Sequence, residues 1–167
     1  WNRNGKEIIG PNTFIPIAEE IGFIDKISRF VFSDITSQVE KWKSKGMDIK
    51  CAVNISVNDL KHDDSSLWDM YILDGKNASR SDYEVEITER AIAYNDRRLI
   101  ERMHYLKELG YQLSIDDFGT GYNSLMSVAE IPYDKLKIDK YFIDNLLKID
   151  IEKAITGDII SMAHKLG

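Results

Sequence analysis

Four short runs of β-branched and apolar residues recur along the chain, and each is followed by a helical pattern. This alternation restricts the fold more than any other feature. The runs are Ile49–Ser56, Tyr83–Thr88, Tyr111–Asp117 and Tyr133–Asp139. Ahead of the first, Thr13 to Glu20 reads as a short helix that Thr13 can cap and Gly22 ends. A longer helix then carries Ile24, Ile27, Val31, Ile35, Gln38 and Trp42 at spacings of three and four and stops at Gly46. Ser65 or Ser66 can open a helix running to about Leu73. Asp96 can cap one bearing Leu99, Ile100, Met103 and Leu106, stopped at Gly110. A short helix is expected near Ser124–Ala129, and a last one carries Ile151, Ile155, Ile159, Met162 and Leu166. Strands separated by helices predict a parallel sheet with right-handed crossovers. The pattern alone leaves open whether that sheet stays open or closes into a barrel.

Composition supports one globular domain over residues 1–167, with 43% hydrophobic and 30% charged residues. No apolar run reaches the ~20 residues that span a bilayer, and the first ten residues (WNRNGKEIIG) carry no apolar core of the signal-peptide kind. Cys51 is the single cysteine and cannot make an internal disulfide. With 28 acidic against 22 basic residues and a net charge of −6, the chain lacks the basic excess that a DNA or RNA polymer requires. A small anionic ligand held through divalent cations stays compatible with that charge.

The strand ends carry groups that packing does not explain. The first run ends in Asn54-Ile55-Ser56 and the second in Glu86-Ile87-Thr88-Glu89. The third ends in Asp116-Asp117 and the fourth in Lys137-Ile138-Asp139. In a parallel sheet these ends share one rim, where α/β folds place their sites. Period-two alternation points Glu86 and Lys137 away from Ile87 and Ile138. Clustered carboxylates stay ionised only with cations to compensate them. Oxygen donors without paired His or Cys suit magnesium, manganese or calcium rather than zinc. Paired metals clamp the attacking and leaving oxygens of phosphodiester hydrolysis, and a lysine can steady a phosphate or developing charge. The simpler reading is that each carboxylate caps a helix or lies in a solvated turn.

At these residues the sequence resembles the EAL domain family, the cyclic di-GMP phosphodiesterases of bacterial signalling. The matching stretches are Gly10-Pro11, Phe14 to Glu20 (FIPIAEE), Val53 to Ser56, Glu86 to Glu89, Asp116 to Tyr122 (DDFGTGY) and Leu136 to Asp139, in the family's order. The resemblance implies a TIM-like (β/α) barrel, here an incomplete one with about four main parallel strands and alternating helices. It implies that Asn54, Glu86 and Asp116 ligate a metal, that Asp117 contacts a second, and that Lys137 sits by the nucleophilic water or the phosphate. The metals would be Mg2+ or Mn2+, and cyclic di-GMP would be linearised to pGpG. Glu89 resembles the anchor of the loop Asp117–Tyr122, which includes Phe118, Gly119, Thr120 and Gly121 and is linked to dimerisation. Gly119 and Gly121 allow the backbone turns of such a loop.

The family's Glu-Ala-Leu motif is expected just before Trp1, and a Glu-Gly-Val-Glu strand and a later glutamine strand after Gly167. The chain is therefore read as a partial domain, lacking the first and the later barrel strands and having little activity by itself. The resemblance also implies a homodimer in the complete domain, fusion to sensory or diguanylate cyclase domains, and a cytoplasmic location, either free or below a membrane anchor. Two other classes stay open. One is a cyclic di-GMP receptor without catalysis, although such relatives usually have substituted metal ligands. The other is an interaction domain docking through an apolar surface around Tyr141-Phe142 or on the helix Asp25–Lys45. Among single residues, Cys51 and Trp42 read as core, His104 as surface, and Glu84 as a carboxylate on the face of Glu86.

Overall fold

The computed structural model describes residues 1–3, 5, 7–61, 77–92, 96–120, 128–148 and 150–166. The helix expected from Ser65 or Ser66 to Leu73, and most of that expected near Ser124–Ala129, lie outside them. A small antiparallel pair, β1 (Asn2–Arg3) and β2 (Glu7–Ile8), precedes α1 (Pro11–Glu20) and α2 (Ile24–Lys43). Then come β3 (Cys51–Asn54), α3 (Val57–Lys61), a 3-10 turn at Arg80–Asp82 and β4 (Tyr83–Thr88). They are followed by α4 (Glu89–Ile92), α5 (Arg97–Glu108) and β5 (Gln112–Phe118). The chain continues through β6 (Lys135–Ile138), α6 (Lys140–Asn145) and α7 (Asp150–Leu166).

The main sheet runs β3-β4-β5-β6 and is parallel throughout. Four parallel strands alternating with helices are thus present, and among the described residues the sheet does not close. Its helix-side face carries Val53, Val85, Ile87, Leu113 and Ile115, each at most 2% exposed. They share one core with Phe32 and Val39 of α2 and with Leu99, Met103 and Leu106 of α5. Strand alternation turns Asn54, Glu84, Glu86 and Ser114 to the opposite face.

One local reading is corrected. Thr13 does not cap α1; the helix starts at Pro11, with Gly10 as N-cap and no side-chain cap bond. Proline suits that position because its missing N–H is one that the first turn leaves unpaired anyway. The apolar stripe of α2 faces the core: Ile24, Ser28, Phe32 and Val39 are buried, and Val31, Ile35 and Trp42 pack against the core half-buried. Ile24, Ile27, Ser28, Val31 and Ile35 also line a cavity of about 740 Å3 beside β3. Ser28 replaces an apolar residue because it donates to the Asp59 carboxylate at 2.6 Å.

Asp96 does cap α5, its carboxylate accepting from the Arg98 N–H at 3.1 Å. The start of β4 is pinned as well. Asp82 closes a capping box with Ser79 and pairs with Lys43 at 2.6 Å, tying the end of α2 to the sheet. That ion pair offsets burial and holds the Asp82 carboxyl below its ordinary range.

Candidate active site

All four parallel strands end at one rim, so their terminal side chains converge. Asn54 closes β3 and stands in register with Glu86 of β4, while Thr88 stands beside Asp116 of β5. Glu86 is 5% exposed, and its carboxylate is engaged by the Lys137 ammonium from β6. One rung below, Glu84 is engaged in the same way by Lys135. Two carboxylate–ammonium pairs therefore cross the sheet on the face away from the hydrophobic core. Burial alone would lower the Lys137 ammonium, but the hydrogen bond from Lys137 to Glu86 and that carboxylate's charge, with Asp116 and Glu84 behind them, hold it above its ordinary range. Burial likewise pushes Glu84 up, and the hydrogen bond from Lys135, with the charges of Lys135 and Lys137, brings it below the usual carboxylate range.

The third strand end departs from simple alternation. Ile115 pairs with Leu136 and Phe118 with Ile138, so β5 spends one more residue than β6 over that step. This bulge falls at Asp116-Asp117. Asp117 has φ +55°, the one non-glycine residue at positive φ among the described residues. Asp tolerates that conformation better than most side chains, and a bulge re-aims the group it carries. Loss of solvent around Asp117, followed by the charges of Asp116 and Asp139, pushes its carboxyl up, against the pull of Arg90 and Lys137. The carboxylates of β5 thus sense the cation of β6 and one from α4.

The segment after the bulge is held from below. Glu89 is 2% exposed and accepts from the Gly119 N–H at 2.8 Å. Gly119 has φ +104°, and a Cβ there would lie 2.6 Å from Cε2 of Phe142. Both backbone angle and space require glycine. The Thr120 hydroxyl donates to the Asp117 carbonyl at 3.0 Å, and the Asp139 N–H donates to the Phe118 carbonyl at 3.1 Å. Gly121 and Tyr122 lie outside the described residues. Asp139 meets the simpler expectation for a strand-end carboxylate: it is the N-cap of α6, accepting from the Tyr141 N–H at 2.7 Å.

Sequence reasoning missed two features. The first is a polar clamp behind Asn54. The Ser56 hydroxyl donates to Glu19 of α1 at 2.6 Å, and the Ser56 N–H donates to Asp59 at 3.2 Å. The second is Arg90, which lines the cavity beside β3 together with Asn54 and Thr88. Its adjacency to Glu89 was the only available signal.

The sequence matches the EAL domain family over residues 1–167. The chain belongs to that family. Among curated relatives, it is 33% identical over 166 residues to the cyclic di-GMP phosphodiesterase PdeR of Escherichia coli (strain K12), covering 99% of this chain and 25% of PdeR. It is 34% identical over 169 residues to the cyclic di-GMP phosphodiesterase NbdA of Pseudomonas aeruginosa, covering 99% of this chain and 21% of NbdA. The solved structure of the PaMucR phosphodiesterase in complex with cyclic di-GMP superimposes with a TM-score of 0.88 at 30% identity, covering 99% of this chain and 68% of that one. This EAL chain therefore spans a quarter or less of these curated relatives' length.

The family implies a divalent metal, and the donors at the rim suit one in kind: three carboxylates and an amide, all offering hard oxygen. Among the described residues, however, no three His, Cys, Asp or Glu side chains are gathered closely enough to hold an ion. Asn54 contributes an amide rather than a carboxylate, and the Glu86 carboxylate is engaged by Lys137. Among the described residues, no helix is long and apolar enough to cross a membrane.

Proposed function

We propose that this chain is part of a longer EAL domain that hydrolyses cyclic di-GMP to linear pGpG with two divalent ions, Mg2+ or Mn2+. The observation that carries the reading is the rim itself. Asn54, Glu86 and the bulged Asp116-Asp117 pair end successive strands, with Lys137 reaching across to Glu86. Membership of the EAL family and the cyclic di-GMP phosphodiesterase names of PdeR and NbdA support the substrate. The open sheet and the small share of each relative covered support a domain that continues beyond residues 1–167.

When bound, the metals would lower the pKa of the attacking water and neutralise charge on the scissile phosphate. The chain's own groups have distinct tasks in this reading. Asn54, Glu86 and Asp116 would hold one ion and Asp117, set apart by the bulge, the other. Lys137 would donate to the nucleophilic water or a phosphate oxygen. Glu89 fixes the peptide at Gly119, and hence the geometry of Asp117 two residues earlier.

We place the complete domain in the cytoplasm as a homodimer fused to sensory or diguanylate cyclase domains, the arrangement that family membership suggests. The test is product analysis. The complete domain incubated with cyclic di-GMP and Mg2+ or Mn2+ yields pGpG, EDTA abolishes it, and residues 1–167 alone turn over at least ~1,000-fold more slowly, as expected when interdependent catalytic groups are missing. Tight binding with no pGpG formed would make the domain a receptor, and no binding would remove the nucleotide role altogether.

A further inference from the structure

We infer that Arg90 is a substrate-binding residue of this rim, its guanidinium taking a phosphate oxygen of the cyclic dinucleotide on the side where Asn54 lies. The inference rests on the reading of the rim as a phosphodiesterase site.

The rim presents Glu86, Asp116, Asp117 and Asp139, and a phosphodiester approaching it is itself anionic. Of the nearby cations, Lys137 is engaged by Glu86 and Lys135 by Glu84. Arg90 is exposed and makes no hydrogen bond or ion pair with any described residue. It is the second residue of α4, two residues beyond the end of β4, so the backbone delivers it to the rim.

Its surroundings extend both ways. On one side it lines the cavity of about 740 Å3 with Asn54 and Thr88. On the other, Thr88 at the end of β4 stands beside Asp116 of the bulged pair on β5. Because β4 lies between β3 and β5, a cation just past its end lies between the strand that carries Asn54 and the strand that carries that pair. The planar guanidinium fork matches two phosphate oxygens at once, which an ammonium does not. A purely structural role, in which Arg90 only offsets the charge of Asp117, predicts a different kinetic signature. It would alter metal affinity and kcat, not the affinity for the dinucleotide.

The experiment compares wild type, Arg90→Ala and Arg90→Lys in the complete domain. Equilibrium binding of cyclic di-GMP is measured without added metal, and KM and kcat are measured at saturating Mn2+. Arg90→Ala is expected to weaken binding and raise KM by about 10-fold or more while kcat changes less than about threefold, the loss of one charge-assisted contact. Arg90→Lys recovers only part of it. Because the side chain is exposed, thermal unfolding of both variants should match wild type. Unchanged binding and KM in an active Arg90→Ala domain overturns the inference and leaves the proposed function standing. A fall in kcat alone, with weaker Mn2+ binding in a metal titration, assigns Arg90 to Asp117 and also overturns it. A wild-type domain that neither binds nor cleaves cyclic di-GMP overturns both.

Discussion

Replacing Gly119 by alanine probes the junction between the carboxylate bulge and the scaffold beneath it. The backbone at Gly119 has φ +104°, a region L residues rarely occupy. Forcing alanine into it costs about 1–3 kcal/mol. The new Cβ would lie 2.6 Å from Cε2 and 3.1 Å from Cζ of Phe142, and 3.1 Å from Cδ1 of Ile159. Carbon atoms rest about 3.5–4.0 Å apart, so the ring must retreat by about 1 Å. Phe142 is 7% exposed and packs edge-on against Tyr141, and Ile159 is 8% exposed, so neither has free room. Overpacking of this kind costs about 1–3 kcal/mol. The stiffer unfolded chain of the alanine variant returns about 0.4–1 kcal/mol. A net loss of about 2–4 kcal/mol follows for whichever cooperative unit contains α6. Urea unfolding of the complete domain measures it, and adding Phe142→Leu should recover about 1 kcal/mol or more by making space. The variant should also bind Mn2+ more weakly, because Asp117 sits two residues before the displaced peptide. A Gly119→Ala domain within about 0.5 kcal/mol of wild type would refute the steric argument and the rigid coupling drawn from it.

Two further perturbations test other parts of the frame. Asp82→Asn removes a carboxylate whose folded pKa is depressed, so its contribution is present above the unfolded value and is lost as pH falls through the folded one. The variant should be less stable than wild type by about 1 kcal/mol near neutrality, with the gap closing below about pH 4 in urea titrations; a gap that does not change with pH contradicts the assignment. Ser56→Ala unties the end of β3 from Glu19 and leaves that carboxylate without its 2.6 Å donor. Apparent Mn2+ affinity in the complete domain should fall about 10-fold, the upper range for loss of a supporting contact being ~100-fold; unchanged affinity shows that the clamp does not position Asn54.

Much of the frame was legible because it depends on periodic patterns and terminal chemistry. Apolar runs of strand length located β3 to β6, and Asp96 announced the start of α5. Alternation showed Glu86 and Lys137 turned away from Ile87 and Ile138, but not their pairing, which reaches across β5 from β6 to β4. What escaped depends on contacts distant in sequence or on broken periodicity. The extra residue of the bulge at Asp116-Asp117 leaves no compositional mark, and a period-two reading would have sent the two carboxylates to opposite faces. Ser56, Glu19 and Asp59 come from separate elements, so only the fold brings them together. Asp139 shows the converse, a carboxylate in the right place to join the site whose side chain caps a helix instead.

The central claim is that the ends of β3, β4, β5 and β6 form one metal-dependent phosphodiesterase centre. Its most direct test is the rate of pGpG formation from cyclic di-GMP by the complete domain, wild type against Asp116→Asn, at saturating Mn2+ and equal folded concentration. The substitution keeps size while replacing the anionic carboxylate with a neutral amide. The account predicts rapid conversion by the wild type and a loss of at least ~100-fold in the variant, the order expected when a group that stabilises the reacting charge is removed. Equal rates in the two proteins would contradict it.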